Sequence, residues 1–133
     1  MKKIIAIISV IILIISSVNV FSFYDIYDSD TDNAVDTLSS FNIINGYEDG
    51  SFRPNDYITR AEFSKIIISA CDYEFNGYDE NMRFYDVGNS HWAKNYIYIA
   101  KNLGIVNGVD ERDFEPESNI TYEQAVKMIV AAL

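Results

Sequence analysis

Apolar residues recur at helical spacing after a clear helix-start signal near the middle of the chain. Phe63, Ile66, Ile67 and Ala70 form an apolar stripe at helical spacing. Thr59 and Glu62 precede that stripe as a capping box, because each side chain can bond the other residue's backbone N–H. The pattern therefore predicts a helix that begins immediately after Thr59.

Two further helices are predicted from apolar faces at the same spacing. Their faces are Ala34, Val35, Leu38 and Phe41 in one, and Tyr96, Ile97, Ala100 and Leu103 in the other. Asn42 follows the first and Gly104 the second, and these residue types favour the left-handed end of a helix. The predicted fold class is all-α, with short β-bridges at most in the glycine loops.

The loop before the capped helix contains strong turn residues. Asp49 and Gly50 form a turn dipeptide, because glycine tolerates the positive φ that such turns need. Pro54 fixes its own φ and is expected to hold Arg53 in an extended conformation.

The whole loop–helix stretch occurs twice. Adding 62 to the residue number relates Gly46 to Gly108, Phe52 to Phe114, Pro54 to Pro116, Ile58 to Ile120, Thr59 to Thr121 and Ile67 to Ile129. Such a fixed offset indicates an internal repeat. The copies differ where Gly50 becomes Arg112, which should reshape the turn, and where Arg60 becomes Tyr122, which keeps the cap but removes the guanidinium.

The first 22 residues have the pattern of an export signal. Lys2 and Lys3 precede an apolar stretch from Ile4 to Ile15, and we expect cleavage after Ser22. An uncleaved anchor is the alternative. The remaining chain divides into repeat 1 (23–71), a connection (72–83) and repeat 2 (84–133).

Charge and composition exclude several function classes. The chain has 10 basic and 20 acidic residues, and loss of the two leader lysines leaves 8 against 20, a formal charge of −12. This argues against binding to nucleic acid and against a basic membrane-surface mode. Cys71 is the only cysteine, so no disulfide can form within the chain, and a buried, inert thiol is expected.

No catalytic or metal-binding motif is present. The acidic run at residues 28–32 alternates like a calcium loop, but Asn33 and Ser39 stand where glycine and glutamate are needed. We expect a solvated turn whose Asp or Thr caps the next helix. His91, the one histidine, is expected near a helix start at Ser90 rather than as a base. We therefore predict no enzyme, no metal and no cofactor.

Arg60 is the strongest candidate for ligand binding. A cation at a helix start opposes the macrodipole, and a breach of a local rule often marks a functional residue. Its fork can hold a carboxylate through two hydrogen bonds. The alternative is a surface arginine paired with Asp56. Tyr47, Tyr57 and Trp92 are candidate walls for a sugar, although a core anchor is an equal interpretation of Trp92.

These motifs resemble the S-layer homology family of bacterial cell-surface proteins. The glycine loop and Thr-Arg-Ala-Glu-Phe carry the likeness at 46–63, and Phe84–Val87 and His91–Ala93 add the family's other signatures. The resemblance implies helix–loop–helix repeats, three to a domain, around a pseudo-threefold bundle of their first helices. Phe23, Phe52, Phe84 and Phe114 recur between the copies and are expected in the core.

The resemblance also implies a function. Such domains bind secondary cell-wall polysaccharides, often pyruvylated, so we expect a secreted protein held non-covalently in the cell wall or S-layer. The implied ligand-binding residues are Arg60, Thr59, Glu62, Tyr47, Arg53 and Trp92. Two copies instead of three imply a homo-oligomer or a partner that supplies the third. The alternative is a degenerate repeat pair that acts as a protein-interaction module.

Overall fold

The computed structural model describes residues 23–74, 77 and 83–133. The predicted export signal and most of the connection between the repeats lie outside these residues. The described chain contains four helices: α1 (Ser29–Ser40), α2 (Arg60–Ala70), α3 (Lys94–Asn102) and α4 (Tyr122–Ala132). The predicted all-α class is confirmed.

The second helix of each repeat begins with the predicted capping box. In α2 the Thr59 N–H donates to Glu62 Oε2 at 2.7 Å, and the Glu62 N–H donates to Thr59 Oγ1 at 3.2 Å. In α4 the Thr121 N–H donates to Gln124 Oε1 at 3.1 Å, and the Gln124 N–H donates to Thr121 Oγ1 at 3.2 Å. Both predicted helix starts are therefore confirmed.

The acidic run that resembles a calcium loop forms the start of α1. Asp28 caps the helix, since its Oδ2 accepts from the Thr31 N–H at 2.9 Å and from the Thr31 hydroxyl at 2.7 Å. The predicted capping role is confirmed, but the expected turn is shorter because residues 29–32 are already helical. Residues 23–74, 77 and 83–133 contain no group of three or more potential metal ligands.

Helix α3 starts later than the sequence indicates. It begins at Lys94 rather than near Ser90, and Ala93 caps it without a side-chain hydrogen bond. Residues 88–94 form tight turns instead, with His91 N–H donating to Gly88 O at 3.0 Å and Lys94 N–H donating to His91 O at 3.0 Å. The His91 ring takes part as well, because its Nδ1 accepts from the Ala93 N–H at 3.1 Å.

The predicted left-handed helix ends are present. Asn42 has φ of 57° after α1, and Gly104 has φ of 72° after α3. The glycine loop also uses positive φ, at 64° for Gly46 and 82° for Gly50. A Cβ on Gly46 would overlap the Phe23 ring, so close packing as well as backbone angle requires glycine there.

The main core joins α2 to the second repeat. Helix α2 packs against both α3 and α4, and the buried cluster includes Ala61, Ile68, Phe84, Ile97, Phe114 and Met128. Within the described helices, α1 packs against none of the others, so the two first helices do not meet as a bundle of first helices implies. The folded core therefore crosses the boundary between the sequence repeats.

Three of the four phenylalanines expected in the core are buried. Phe23, Phe84 and Phe114 are buried, whereas Phe52 is partly exposed. Within each repeat the two rings lie together, with centroids 5.4 Å apart for Phe23 and Phe52 and 5.3 Å apart for Phe84 and Phe114. Each pair fixes the glycine loop of its repeat to the segment that precedes the first helix.

Main-chain hydrogen bonds also connect the repeats. Thr59 and Asn119 form an isolated antiparallel bridge, and the Ile120 N–H donates to Ile58 O at 3.0 Å. The first N–H groups of α2 continue the connection: Arg60 donates to Ser118 O and Ala61 to Pro116 O, both at 2.9 Å. The β-bridge thus lies between the repeats, before the second helices, rather than in the glycine loops as expected.

Two apolar helix faces stay exposed. On α1 and its C-cap, Leu38 is 39% and Phe41 71% exposed, and we call this the α1 face. On α4, Ile129 is 42% and Val130 68% exposed, and we call this the α4 face. Leu38 and Phe41 stay exposed because no described helix packs against α1. No helix among the described residues is both long enough and apolar enough to span a bilayer.

Candidate functional site

The glycine loop of repeat 1 is held by the Asp49 carboxylate. Its Oδ1 accepts from the Ser51 hydroxyl at 2.5 Å and from the Ser51 N–H at 3.0 Å. Its Oδ2 accepts from Arg53 at 2.8 Å, and Arg53 also donates to Ser51 Oγ at 3.1 Å. These bonds, with that from the Ser51 hydroxyl strongest, lower the pKa of Asp49 to about 2. The loop is therefore preorganised around an ionised carboxylate.

Asp25 fixes the other side of this loop. Its two carboxylate oxygens accept from the N–H groups of Phe52 at 2.8 Å and Arg53 at 2.7 Å. Although desolvation raises the pKa of Asp25, these backbone bonds lower it below its ordinary value overall. Arg53 has φ of 60°, so the expected extended conformation before Pro54 is wrong. Presenting two successive N–H groups to one carboxylate favours this left-handed turn over the extended backbone.

Repeat 2 contains the same anchor. Asp86 accepts from the Phe114 N–H at 2.9 Å and from the Glu115 N–H at 2.6 Å, and Glu115 has φ of 56°. Neither Asp25 nor Asp86 is among the site residues predicted from the sequence. The signal was available, since each is the aspartate of a Phe-Tyr-Asp segment that recurs between the repeats.

The turn of repeat 2 is reshaped, as the loss of glycine at Arg112 predicts. Arg112 does not have positive φ among the described backbone angles. Instead, Asp110 Oδ1 accepts from the N–H groups of Arg112 at 2.7 Å and Asp113 at 2.8 Å. The Arg112 guanidinium carbon lies 4.4 Å from the centre of the Tyr85 ring. The turn of repeat 2 is thus stabilised by the Asp110 carboxylate and the Tyr85 ring, whereas the turn of repeat 1 depends on the positive φ of Gly50.

Tyr47 connects the glycine loop to the start of α2. Its hydroxyl donates to Glu62 Oε1 at 3.0 Å, while Glu62 Oε2 accepts from the Thr59 hydroxyl at 2.9 Å in addition to the cap bond. The Arg53 guanidinium carbon lies 4.0 Å from the centre of the Tyr47 ring. Burial, and then the bond to Glu62, raise the pKa of the Tyr47 hydroxyl. These four side chains form one continuous surface.

That surface lines a cavity of about 770 Å³ between the repeats. Five of the six predicted binding residues line it: Tyr47, Arg53, Thr59, Glu62 and Trp92. Repeat 2 contributes Trp92, Tyr96 and Glu117, whereas the rest of the lining comes from residues 43–66. The volume falls in the range of pockets that hold small ligands or one or two sugar rings.

Trp92 lies at the surface of this cavity rather than in the core. It is 55% exposed, and its ring stacks on His91 with centroids 5.9 Å apart. His91 in turn bonds Glu117, with Nε2 and Oε1 3.0 Å apart. Because Nδ1 accepts from the backbone, Nε2 carries the hydrogen and donates to Glu117. His91 thus contacts both Trp92 and Glu117 and orients their side chains, a structural role that is expected of a histidine near a helix terminus.

Arg60 lies outside the cavity lining. It is only 5% exposed, its Nε donates to Phe114 O at 2.8 Å, and its guanidinium carbon lies 4.5 Å from the centre of the Phe114 ring. Burial lowers the pKa of Arg60, against the opposing charges of Glu115 and Asp86. The alternative of a surface arginine is wrong, because this side chain is buried against repeat 2.

Comparison with known proteins agrees with this architecture. The profile of the S-layer homology domain matches residues 22–64 and 83–126, which is most of the chain and covers both repeats. The chain belongs to the S-layer homology family. Domains of this family bind cell-wall polysaccharide in general and act as non-catalytic anchoring modules.

Relatives of this S-layer homology chain include surface proteins and enzymes. A surface layer protein of Brevibacillus choshinensis is 32% identical over 80% of this chain and 10% of its own length. A cell surface protein of Thermoanaerobacter kivui is 32% identical over 100% of this chain and 19% of its own length. An exoglucanase, XynX of Acetivibrio thermocellus, is 32% identical over 84% of this chain and 10% of its own length.

The chain therefore spans a tenth to a fifth of these relatives' length. The enzymes among them match only through the S-layer homology region. The family and these relatives indicate a secreted protein located in the cell wall or S-layer.

Proposed function

We propose that this chain anchors non-covalently to a bacterial cell wall by binding a secondary cell-wall polysaccharide in the cavity between its two repeats. The observation that carries the proposal is the common lining of one cavity by exposed aromatic and hydrogen-bonding side chains from both repeats, among them Tyr47, Arg53 and Trp92. The polymer that we infer is anionic and pyruvylated.

Each lining residue has a distinct proposed role. Trp92 offers an exposed flat face for a sugar ring, and the Tyr47 ring offers a second. Arg53 supplies a cation whose position is fixed by Asp49. Thr59 and Glu62 supply hydroxyl and carboxylate oxygens at the helix start, although both are largely used by the cap. This arrangement suits a sugar ring held by stacking and by a few fixed polar contacts.

Arg60 contributes to this binding indirectly in our proposal. Its guanidinium bonds and covers Phe114, so contact with a ligand acid would require it to leave a buried position. We infer instead that Arg60 holds repeat 2 against α2 and so keeps the two walls of the cavity together. The cap of repeat 2 lacks this cation at Tyr122, which supports one strong groove rather than two.

Retention on purified cell-wall sacculi tests the proposal. Wild-type protein should bind native sacculi and should not bind sacculi stripped of secondary polysaccharide. Trp92→Ala should weaken retention about tenfold, because it removes an exposed stacking face. Tyr122→Ala is the matched control: Tyr122 is also an exposed aromatic residue, at 87%, but does not line the cavity. Equal binding to native and stripped sacculi would reject the polysaccharide.

A second candidate function is a protein-interaction module. The α1 face and the α4 face favour it, because exposed contiguous apolar side chains often mark contact surfaces. We propose that these faces receive either a second copy of the chain or a partner that supplies a third repeat. Retention on stripped sacculi that still carry surface proteins, with loss after protease treatment, would favour this function.

A further inference from the structure

Lys65 is a cation inside the cavity that the predicted site did not include. It lies on α2, one turn after the capping glutamate, and lines the cavity between the repeats. The side chain is partly buried rather than solvent-exposed. A lysine in such a position normally directs its ammonium group toward water or toward a carboxylate.

Three charged side chains that line the cavity already have a partner within the protein. Arg53 is paired with Asp49 at 2.8 Å, Glu62 accepts from Thr59 and Tyr47, and Glu117 bonds His91. Glu48 and Asp56 also line the cavity and are exposed to solvent, where water screens their charge. Among the described residues, Lys65 has no hydrogen-bond or ion-pair partner.

Burial without a partner is unfavourable for an ammonium group. Desolvation lowers the pKa of the Lys65 ammonium group below its ordinary value. An anion that entered the cavity would restore the interactions that the ammonium lost when it left water. A cavity that contains a partly buried cation with no partner among the described residues is thus suited to a ligand with a negative group.

The internal repeat provides a comparison within the same chain. Lys127 occupies the position of Lys65 in repeat 2, 62 residues later. Its side chain is 74% exposed, and its Nζ lies 2.8 Å from Glu123 Oε1. The residue that corresponds to Glu123 in repeat 1 is Ala61, which is buried and has no charge. The equivalent lysines therefore differ: Lys127 of repeat 2 is paired at the surface, whereas Lys65 of repeat 1 lines the cavity and has no partner among the described residues.

We propose that Lys65 is the anion-binding residue of the cavity and selects glycans that carry a carboxylate or phosphate substituent. The inference rests on the proposed function for the identity of the ligand as a wall glycan. It assigns the acid group to Lys65 rather than to Arg60. Sugar rings on either side of that substituent would then contact the aromatic walls at Trp92 and Tyr47.

Titration calorimetry with soluble wall polysaccharide tests the specificity. Lys65→Met should lower the affinity for native polymer at least tenfold, because one charge-assisted contact is lost. Lys65→Arg should recover part of it. Wild type should bind carboxyl-reduced or dephosphorylated polymer less tightly, according to which acid is present, whereas Lys65→Met should not distinguish native from neutralised polymer. Lys127→Met is the control and should behave as wild type.

A second measurement separates this inference from the proposed function. Acetate and inorganic phosphate are titrated into the full chain at constant ionic strength, with chloride as the control, while the Cε resonances of Lys65 and Lys127 are followed by NMR. A saturable shift at Lys65 alone supports the anion site even if the polymer does not bind. No shift at Lys65, or wild-type affinity and discrimination in Lys65→Met, would overturn it.

Discussion

At the scale of single residues, Arg60 shows how an arginine that is unfavourable at a helix start can be stabilised by contacts outside its helix. A guanidinium in the first turn of a helix opposes the macrodipole. Here the cost is offset by a hydrogen bond to Phe114 O at 2.8 Å and by contact with the Phe114 ring. The broken local rule therefore marks a contact between repeats, which no local pattern around Arg60 can reveal.

Arg60→Ala should destabilise the fold by about 3 kcal/mol, because it leaves a buried carbonyl unpaired and removes a cation–π contact. If Arg60 lay at the protein surface, the same substitution would change the free energy of unfolding by no more than about half a kcal/mol. Urea unfolding measures the difference, with Arg112→Ala as the exposed control. Loss of stability in Arg112→Ala equal to that in Arg60→Ala would contradict the assigned contact.

Asp49 should titrate at unusually low pH. Its pKa in the folded protein is about 2, against an ordinary value of 3.8. Because the folded value is the lower one, its contribution to stability is present above about pH 4 and is lost as the pH falls toward 2. Carboxyl carbon NMR should show this titration, and Ser51→Ala should raise the pKa of Asp49 toward 3.8. An unchanged pKa in Ser51→Ala would remove the serine as its main cause.

At the scale of elements, the helix starts follow short-range rules. A cap needs residues three apart, so the sequence predicts both boxes with their partners. Thr59→Ala and Thr121→Ala should each cost about 1 kcal/mol of unfolding free energy, because each removes a side-chain acceptor at a helix start. Urea denaturation of the two single variants measures this. A loss confined to Thr59→Ala would mean that α4 does not contribute to the cooperative fold.

Sequence reasoning succeeded for features fixed by neighbours along the chain. Asn42 and Gly104 were predicted at helix ends because a single residue type satisfies the left-handed angle there. The cavity was largely anticipated because the repeated motifs named five of its lining residues. The backbone conformation of Arg53 was predicted wrongly, since its positive φ depends on the Asp25 carboxylate, 28 residues earlier. Lys65 was missed because burial without a partner leaves no local signature.

At the scale of the whole molecule, the α1 face and the α4 face are apolar helix surfaces that the other described helices leave exposed. Helix α2 of repeat 1 packs against α3, the first helix of repeat 2. No described helix packs against α1, and among the described helices only α2 packs against α4. Exposed apolar area of this kind favours association. The net acidic charge opposes it, so added salt should strengthen it.

The purified chain should form a dimer or a larger oligomer at micromolar concentration, or otherwise be only marginally stable. Sedimentation velocity at two salt concentrations measures the mass, and Val130→Asp should shift it toward the monomer because it charges the α4 face. Tyr122→Asp, an exposed change on the same helix, is the control. A cooperative, well-folded monomer for the wild type would contradict this prediction.

The contact between Arg60 and Phe114 has a consequence for protein engineering. A designer who transplants one sequence repeat into another surface protein would cut between α2 and α3, where the buried core is continuous. The excised piece would keep the capping box but would lose the Phe114 ring and the Phe114 carbonyl, which Arg60 contacts. The smallest portable unit is therefore the stretch from one glycine loop through the next, a segment offset by half a repeat from the one that the sequence displays.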